Sequence, residues 1–172
     1  AQSGILEITN TSSIPGRINS GSTFFHHSVN DSRGMNTIWS DCDFLKTYQI
    51  ELTEGRFFEE GNQFNAKSVV LNETAIKRLN IEDPIGKKVY QGKKTEDESL
   101  TIIGVMKDFH CESLHQEMSS LVLINGTGEN LSVRVSGDIQ QNLKIIEQTW
   151  DNFTNGQSLD YVFFDEDFGR LY

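Results

Sequence analysis

The chain has 172 residues, of which 15 are basic and 25 acidic, so its formal net charge at neutral pH is −10. This length suits one ordinary domain or two small ones that share a core. The acidic balance opposes phosphate backbones and anionic lipid surfaces, which argues against nucleic-acid binding. The sequence contains no run of about 18 apolar residues that could cross a bilayer.

Hydrophobic periodicity and turn signals predict a chain of short strands interrupted by a few helices. Apolar or β-branched runs bounded by Pro, Gly or Asn indicate strands, and a long polar connection is expected over residues 17–36. The predicted strands are Ile5–Ile8, Phe24–His27, Thr37–Trp39, Ser68–Leu71, Lys87–Tyr90, Leu100–Val105, Leu121–Ile124, Leu131–Val135 and Leu159–Phe164.

Helices are predicted where a capping residue precedes apolar side chains three or four positions apart. Ser40 or Asp41 is a possible N-cap for the first helix, Asn72 for the second, and Asp138 with Gln141 resembles a capping box for the third. We expect the long stripe of the third helix to be buried. The three stripes are Phe44, Leu45 and Tyr48; Ala75, Ile76 and Leu79; and Ile139, Leu143, Ile146, Trp150 and Phe153.

The order of these elements predicts an α+β fold with two lobes. Strand–helix units at both ends bracket a central piece with the order strand, helix, strand, strand. Such mixing argues against a helical bundle or a repeat array.

No constellation of residues in the sequence predicts catalysis. His26 and His27 would point to opposite faces of their predicted strand. His110 and His115 would be separated by about 140° on a helix, whereas a metal site needs three or four convergent ligands. Motifs for a serine nucleophile, a phosphate loop or a dinucleotide fingerprint are not found. We therefore predict no catalytic residue, no cofactor-binding residue and no metal ligand.

Two further groups of reactive side chains have simple structural interpretations. The consecutive acids Asp165, Glu166 and Asp167 are typical of a helix start, where they interact favourably with the helix dipole. Cys42 and Cys111 lie in no CxxC spacing and read as two small apolar residues. A disulfide between these cysteines stays open as a hypothesis for an oxidising compartment.

Several residue strings occur in an order that resembles a known family. Taken together they are similar to the periplasmic core domain of FtsX-like, MacB-type ABC transporter permeases, in the version common among Bacteroidota, and the resemblance runs essentially end to end. The strings are Ser12-Ser13-Ile14-Pro15-Gly16, Asp43-Phe44-Leu45-Lys46-Thr47-Tyr48, Leu52-x-x-Gly55-Arg56-x-Phe58, Leu71-Asn72-Glu73-Thr74-Ala75, Asp83-Pro84-Ile85-Gly86-Lys87, Ile103-Gly104-Val105-x-Lys107-Asp108-Phe109-His110, Ser113-Leu114-His115 and Phe164-Asp165-Glu166-Asp167-Phe168-x-x-Leu171-Tyr172.

The resemblance implies a Porter-like lobe of strand–helix–strand units at residues 1–54 and 126–172, and an inserted, strand-rich Sabre-like lobe at 55–125. It implies a non-catalytic domain on the periplasmic face of the bacterial inner membrane, inserted between the first two transmembrane helices of a permease. The implied partners are a cytoplasmic ATPase subunit or domain, a second permease protomer and a periplasmic partner or cargo. Residues near Ile5 and Tyr172 should then lie on one face, within about 20 Å.

Two alternatives from other classes of protein remain open at this point. One is a secreted metal-dependent hydrolase that uses His110, His115 and an acidic partner. The other is a free-standing extracellular binding module. Stoichiometric zinc in the purified protein would favour the first, and a gene with a signal peptide but no membrane spans would favour the second.

Overall fold

The computed structural model describes residues 4–93, 95, 98–109, 118–154 and 156–164. Within these residues the chain forms nine β-strands, three α-helices and two short 3-10 turns. The strands are β1 Ile5–Thr11, β2 Gly21–Phe25, β3 Arg33–Ser40, β4 Leu52–Gly55, β5 Ser68–Asn72, β6 Lys88–Gln91, β7 Ser99–Met106, β8 Leu121–Asn125 and β9 Asn130–Val135; the helices are α1 Phe44–Tyr48, α2 Glu73–Leu79 and α3 Ile139–Thr154; the 3-10 turns are Val29–Asp31 and Gln63–Lys67.

Six of the strands close into a ring. Their order is β2, β6, β7, β5, β8, β3, and a further pairing of β2 with β3 completes the circuit. The β3–β8 and β5–β7 pairs are parallel, and the other four pairs of the ring are antiparallel. Strand β4 adds to β7 outside this circuit. We refer to the six strands as the ring.

The ring separates two apolar clusters, because its central strands are covered on both sides. All five residues of β5 are buried, and they alternate between the clusters: Val69 and Leu71 belong to one, Val70 to the other. Helix α2 packs into the first cluster with Ala75 and Leu79. Strands buried on both faces require continuous apolar runs, which is why the sequence there does not alternate.

Strands β1 and β9 form a separate two-stranded antiparallel ribbon at the end of the sheet. We refer to this pair as the ribbon. It joins the ring through a single backbone pair, between Thr11 of β1 and Ser40 of β3. Helix α1 follows β3 and packs its Phe44 and Leu45 into the second apolar cluster on the ring.

The mixed α/β fold is confirmed, and the largest differences from the predicted elements are at the ends of strands. Strand β2 ends at Phe25 rather than at His27, and β3 begins at Arg33, within the expected polar connection. Strand β4 was not predicted, because its exposed residues lack an apolar pattern. The cap at Ser40 or Asp41 is wrong, since Asp43 precedes the first turn of α1 and makes no capping bond with its side chain.

The C-terminal expectations were wrong in two respects. Residues 157–163 form neither helix nor strand, and the aromatic ring of Phe164 packs against Tyr48 of α1 instead. The stripe of α3 is not buried at its two ends, since Ile139 is 48% and Phe153 84% exposed. The capping bond at Asp138 is confirmed, because its carboxylate accepts from the amide of Gln141.

Strands from both predicted lobes take part in the ring. It draws β2 and β3 from residues 1–54 and the other four strands from residues 55–125. The ribbon combines β1 with β9, which lies in residues 126–172. The division into a Porter-like and a Sabre-like lobe at these boundaries stays a prediction.

Candidate interaction surface

The two faces of the ribbon differ in chemistry. On one face Glu7 lies opposite Arg134, and α1 packs there. The hydroxyl of Tyr48 lies 2.7 Å from Ser132 Oγ, and Arg134 Nη1 donates to the carbonyl oxygen of Lys46 at 3.3 Å. Burial raises the pKa of the Tyr48 hydroxyl above its ordinary value. This face is polar and is held to the ring by α1.

The opposite face of the ribbon is apolar and exposed. Alternate residues of a strand share a face, and the pairing of Ile8 with Val133 places the apolar residues of both strands together. Leu6 is 49%, Ile8 45% and Leu131 61% exposed, and both charged side chains of the two strands, Glu7 and Arg134, lie on the other face. A contiguous exposed apolar face is typical of a surface that contacts something else.

The first described residue lies against the end of this ribbon, and the last lies against α1, which bonds to the ribbon. The amide of Gly4 donates to Asn142 Oδ1 of α3 at 3.0 Å, and the carbonyl oxygen of Gly4 accepts from the amide of Ser136, just after β9, at 2.7 Å. The centroids of the aromatic side chains of Phe164 and Tyr48 lie 5.7 Å apart, and the hydroxyl of Tyr48 lies within hydrogen-bond distance of Ser132. The ribbon and α1 together therefore contact both ends of the described chain. Tyr172, named in the expected separation of about 20 Å, lies outside the described residues.

An open groove of about 430 Å³ lies beside this point. Ile50, Phe109 and Phe164 contribute apolar lining, and Glu51 and Lys107 form an exposed ion pair of 3.4 Å at its rim. The volume is in the range of ligand sites. The described lining contains neither a histidine nor a cysteine.

The histidines do not form a metal site in the part of the chain that the structure describes. The expectation that His26 and His27 point to opposite faces is wrong, because β2 ends before them and their ring centroids lie 4.0 Å apart. His26 Nδ1 donates to the carbonyl oxygen of Lys88 at 2.7 Å. Over residues 4–93, 95, 98–109, 118–154 and 156–164, no three His, Cys, Asp or Glu side chains converge on a possible ion. His110 and His115 lie outside these ranges, as do Asp165, Glu166 and Asp167.

The Sγ atom of Cys42 donates to Asp43 Oδ2 at 3.6 Å. Burial raises the pKa of the thiol, and the neighbouring Asp43 carboxylate raises it further, because both disfavour the thiolate. Cys111 lies outside the described residues, so the disulfide hypothesis is decided by counting thiols in the unfolded, unreduced protein.

Replacing Asp43 with asparagine should accelerate alkylation of Cys42. The substitution removes the negative charge that raises the pKa of the thiol, so more thiolate is present at pH 8. We expect an increase of roughly twofold to tenfold in the rate with iodoacetamide, measured in a Cys111→Ser background. An Asp31→Asn variant, which removes an exposed carboxylate elsewhere, is the control. Equal alkylation rates in the Cys111→Ser parent, the Asp43→Asn variant and the Asp31→Asn variant would show that Asp43 does not raise the pKa of Cys42.

Three solved structures have a fold similar to that of this chain. A structure of the periplasmic region of MacB from Actinobacillus actinomycetemcomitans is 20% identical with a TM-score of 0.64, over 88% of this chain and 68% of that one. The extracellular domain of the ABC-type transporter YknZ from Gram-positive bacteria is 14% identical with a TM-score of 0.64, over 90% and 79%. A domain of a permease protein from Porphyromonas gingivalis is 16% identical with a TM-score of 0.61, over 98% and 84%. No protein of curated function matches the chain.

These likenesses define a fold class: the chain is similar to the mixed α/β periplasmic region of MacB and the extracellular domain of the transporter YknZ. Within that class, the chain belongs to the MacB-like periplasmic core domain family, which matches residues 6–141. The resemblance drawn from the sequence strings is thereby confirmed. Across the described residues, no helix has both the length and the apolar character needed to cross a bilayer.

The sequence predicts no site residues, and the contacts that join the ribbon to the ring leave no local signal in it. Asn10 and Asp41 are 31 residues apart, and Asn10 and Gly128 are 118 apart. A pattern within a short window cannot reveal such pairs. The alternation of Leu131, Val133 and Val135 did predict a strand with one apolar face, but not that this face is exposed.

Proposed function

We propose that this chain is a non-catalytic domain on the periplasmic face of a bacterial inner membrane, where it transmits motion from the membrane helices of an ABC transporter permease. ATP hydrolysis takes place on a separate cytoplasmic subunit or domain, which is the first partner of the permease. A second permease protomer and a periplasmic partner or cargo complete the assembly. Membership of the MacB-like family supports this proposal.

One observation carries the proposal: the first described residue bonds to the end of the ribbon, and the last packs against α1, which bonds to the same ribbon. Ile5 and Thr9 are four residues apart on β1, about 13 Å along the strand. Thr9 pairs with Ser132 of β9, and the Ser132 side chain bonds to Tyr48. The aromatic side chain of Phe164 lies beside that of Tyr48. Movement of two membrane helices attached to these ends would therefore reach one structural unit first.

The test is the location and topology of the full-length protein. We expect it in the inner-membrane fraction, with this domain open to added protease in spheroplasts and protected in intact cells. A cytoplasmic protein expressed in the same cells is the control for lysis. Recovery of the full-length protein as a soluble periplasmic or secreted species would contradict the proposal.

The non-catalytic role has a separate test. The purified chain should contain less than stoichiometric zinc, and its thermal stability should be unchanged when His110 and His115 are both replaced with alanine. Stoichiometric zinc that is lost in the double variant would instead support the hydrolase alternative.

A further inference from the structure

The ribbon and the ring share very little backbone pairing. The ladder between them consists of one residue pair, Thr11 with Ser40. Both side-chain hydroxyls of this pair are buried, and neither finds a hydrogen-bond partner among the described residues. A single ladder pair resists bending weakly, so other contacts must set the angle between the two parts.

Side chains at this point supply those contacts. Asp41, directly after β3, accepts from the hydroxyl of Thr9 and from the amide of Asn10, each at 2.6 Å. Its own amide donates to the carbonyl oxygen of Asn10 at 3.2 Å. Hydrogen bonds to a carboxylate are stronger than those between neutral groups. Hydrogen bonds to Asp41 thus connect the end of β3 to β1 next to the single ladder pair of Thr11 with Ser40.

The side chain of Asn10 makes a second connection, to the segment between β8 and β9. Its Nδ2 donates to the carbonyl oxygen of Gly128 at 3.0 Å, and its Oδ1 accepts from the amide of Gly128 at 2.6 Å. The side-chain amide thereby bonds to both the N–H and the C=O of Gly128, as a residue of a neighbouring antiparallel strand would. A Cβ atom at position 128 would lie 2.3 Å from the backbone of Ser12, so glycine is needed for this approach.

Asn130 and Ser12 make further hydrogen bonds close to the pair formed by Asn10 and Gly128. Asn130 Nδ2 donates to the carbonyl oxygens of Thr11 and Ser12, at 3.3 and 3.0 Å. The hydroxyl of Ser12 accepts from the amide of Trp39 in β3 at 3.0 Å. Both covalent links between ribbon and ring, residues 12–20 and 126–129, pass through or beside this polar junction, which we define as Asn10, Ser12, Asp41, Gly128 and Asn130.

We propose that the polar junction locks the ribbon to the ring at a fixed angle, with Asn10 and Asp41 as its principal positioning residues. Asn10 bonds to Asp41 after β3 through its backbone amide and to Gly128 between β8 and β9 through its side chain. These bonds lie next to the single ladder pair between ribbon and ring. Helix α1 supports the lock from one side, since it contacts both Ser132 and the ring. The consequence for transmission rests on the proposed function: movement that arrives at the ribbon rotates the ring with it, as one body.

The test measures the angle in the isolated chain, independently of transport. Spin labels are attached at Leu6→Cys on the ribbon and Val29→Cys beside the ring, which are 49% and 52% exposed, in a background with Cys42→Ser and Cys111→Ser. Double electron–electron resonance should give one narrow distance distribution. We expect Asn10→Ala to abolish that single narrow peak and to give a broad distribution.

Two controls separate a lock from general stability. Asn65 is buried and donates to the carbonyl oxygen of Glu59 at 2.7 Å, away from the junction. Asn65→Ala should lower the midpoint of unfolding but leave the distribution narrow. Thr11→Val removes a buried hydroxyl that has no hydrogen-bond partner among the described residues, so it should leave the distribution narrow and should not lower the midpoint of unfolding.

The outcomes are distinct from those for the proposed function. A broad distribution in Asn10→Ala with a narrow one in Asn65→Ala supports the lock. Equally narrow distributions in both overturn it, whatever the location of the full-length protein. Should Asn10→Ala fail to fold, judged by circular dichroism, Asn10→Asp is measured in its place, because it keeps the acceptor for the Gly128 amide but replaces the donor to the Gly128 carbonyl oxygen with a carboxylate oxygen that repels it. A narrow distribution there overturns the lock equally.

Discussion

Replacing Asn72 with alanine should destabilise the protein by about 3 kcal/mol, because one buried side chain makes four hydrogen bonds. Its Oδ1 accepts from the amides of Ala75 and Leu121, at 3.0 and 2.9 Å. Its Nδ2 donates to Asp108 Oδ1 at 2.7 Å and to the carbonyl oxygen of Ser119 at 2.9 Å. Alanine leaves these groups without their partner in a site that is only 1% exposed. Urea unfolding followed by circular dichroism measures the change.

Asn80 provides the matched control, because it is an asparagine at the other end of the same helix. It adopts a left-handed conformation with φ of 51° and is exposed. Glycine takes this conformation without strain, so Asn80→Gly should change the free energy of unfolding by no more than about 0.5 kcal/mol. A loss below about 1 kcal/mol in Asn72→Ala would show that water replaces these hydrogen bonds at little cost.

The role of Asn72 shows how far the sequence could be interpreted. Its position before an apolar stripe predicted the N-cap of α2, and the bond to Ala75 confirms it. The bonds to Asp108 and Ser119, 36 and 47 residues away, had no local signal. Local patterns report contacts within one turn or strand, whereas the contacts that tie β5 to the ends of β7 and β8 depend on the assembled fold.

The same distinction explains the errors at the C-terminus. An apolar run such as 159–164 fits a strand by composition, but a strand forms only where a neighbouring edge accepts it. The stripe of α3 has helical spacing, and the helix forms as predicted. How deeply such a stripe is buried depends on the surface opposite, which spacing alone does not specify. Periodicity therefore predicted the type of most elements but not their partners.

The second large effect is expected at Gly104 of β7, where two strands approach too closely for a side chain. Gly104 pairs with Gly55 of β4, and a Cβ atom at position 104 would lie 2.3 Å from the carbonyl oxygen of Arg56. That atom belongs to the backbone and cannot rotate away. The strand β7 also pairs with β5 and β6, so a shift would disturb the ring.

We therefore expect Gly104→Ala to cost about 3 kcal/mol or more in the free energy of unfolding, measured by urea denaturation. Gly34 of β3 is the matched control, since no heavy atom of the described residues, apart from its own and its two chain neighbours', lies within 4 Å of the Cβ position there. Gly34→Ala should change stability by no more than about 0.5 kcal/mol, because alanine adds no clash and reduces the freedom of the unfolded chain. Equal stabilities of the two variants would mean that β4 separates from β7 at negligible cost, so that the ring is stable without it.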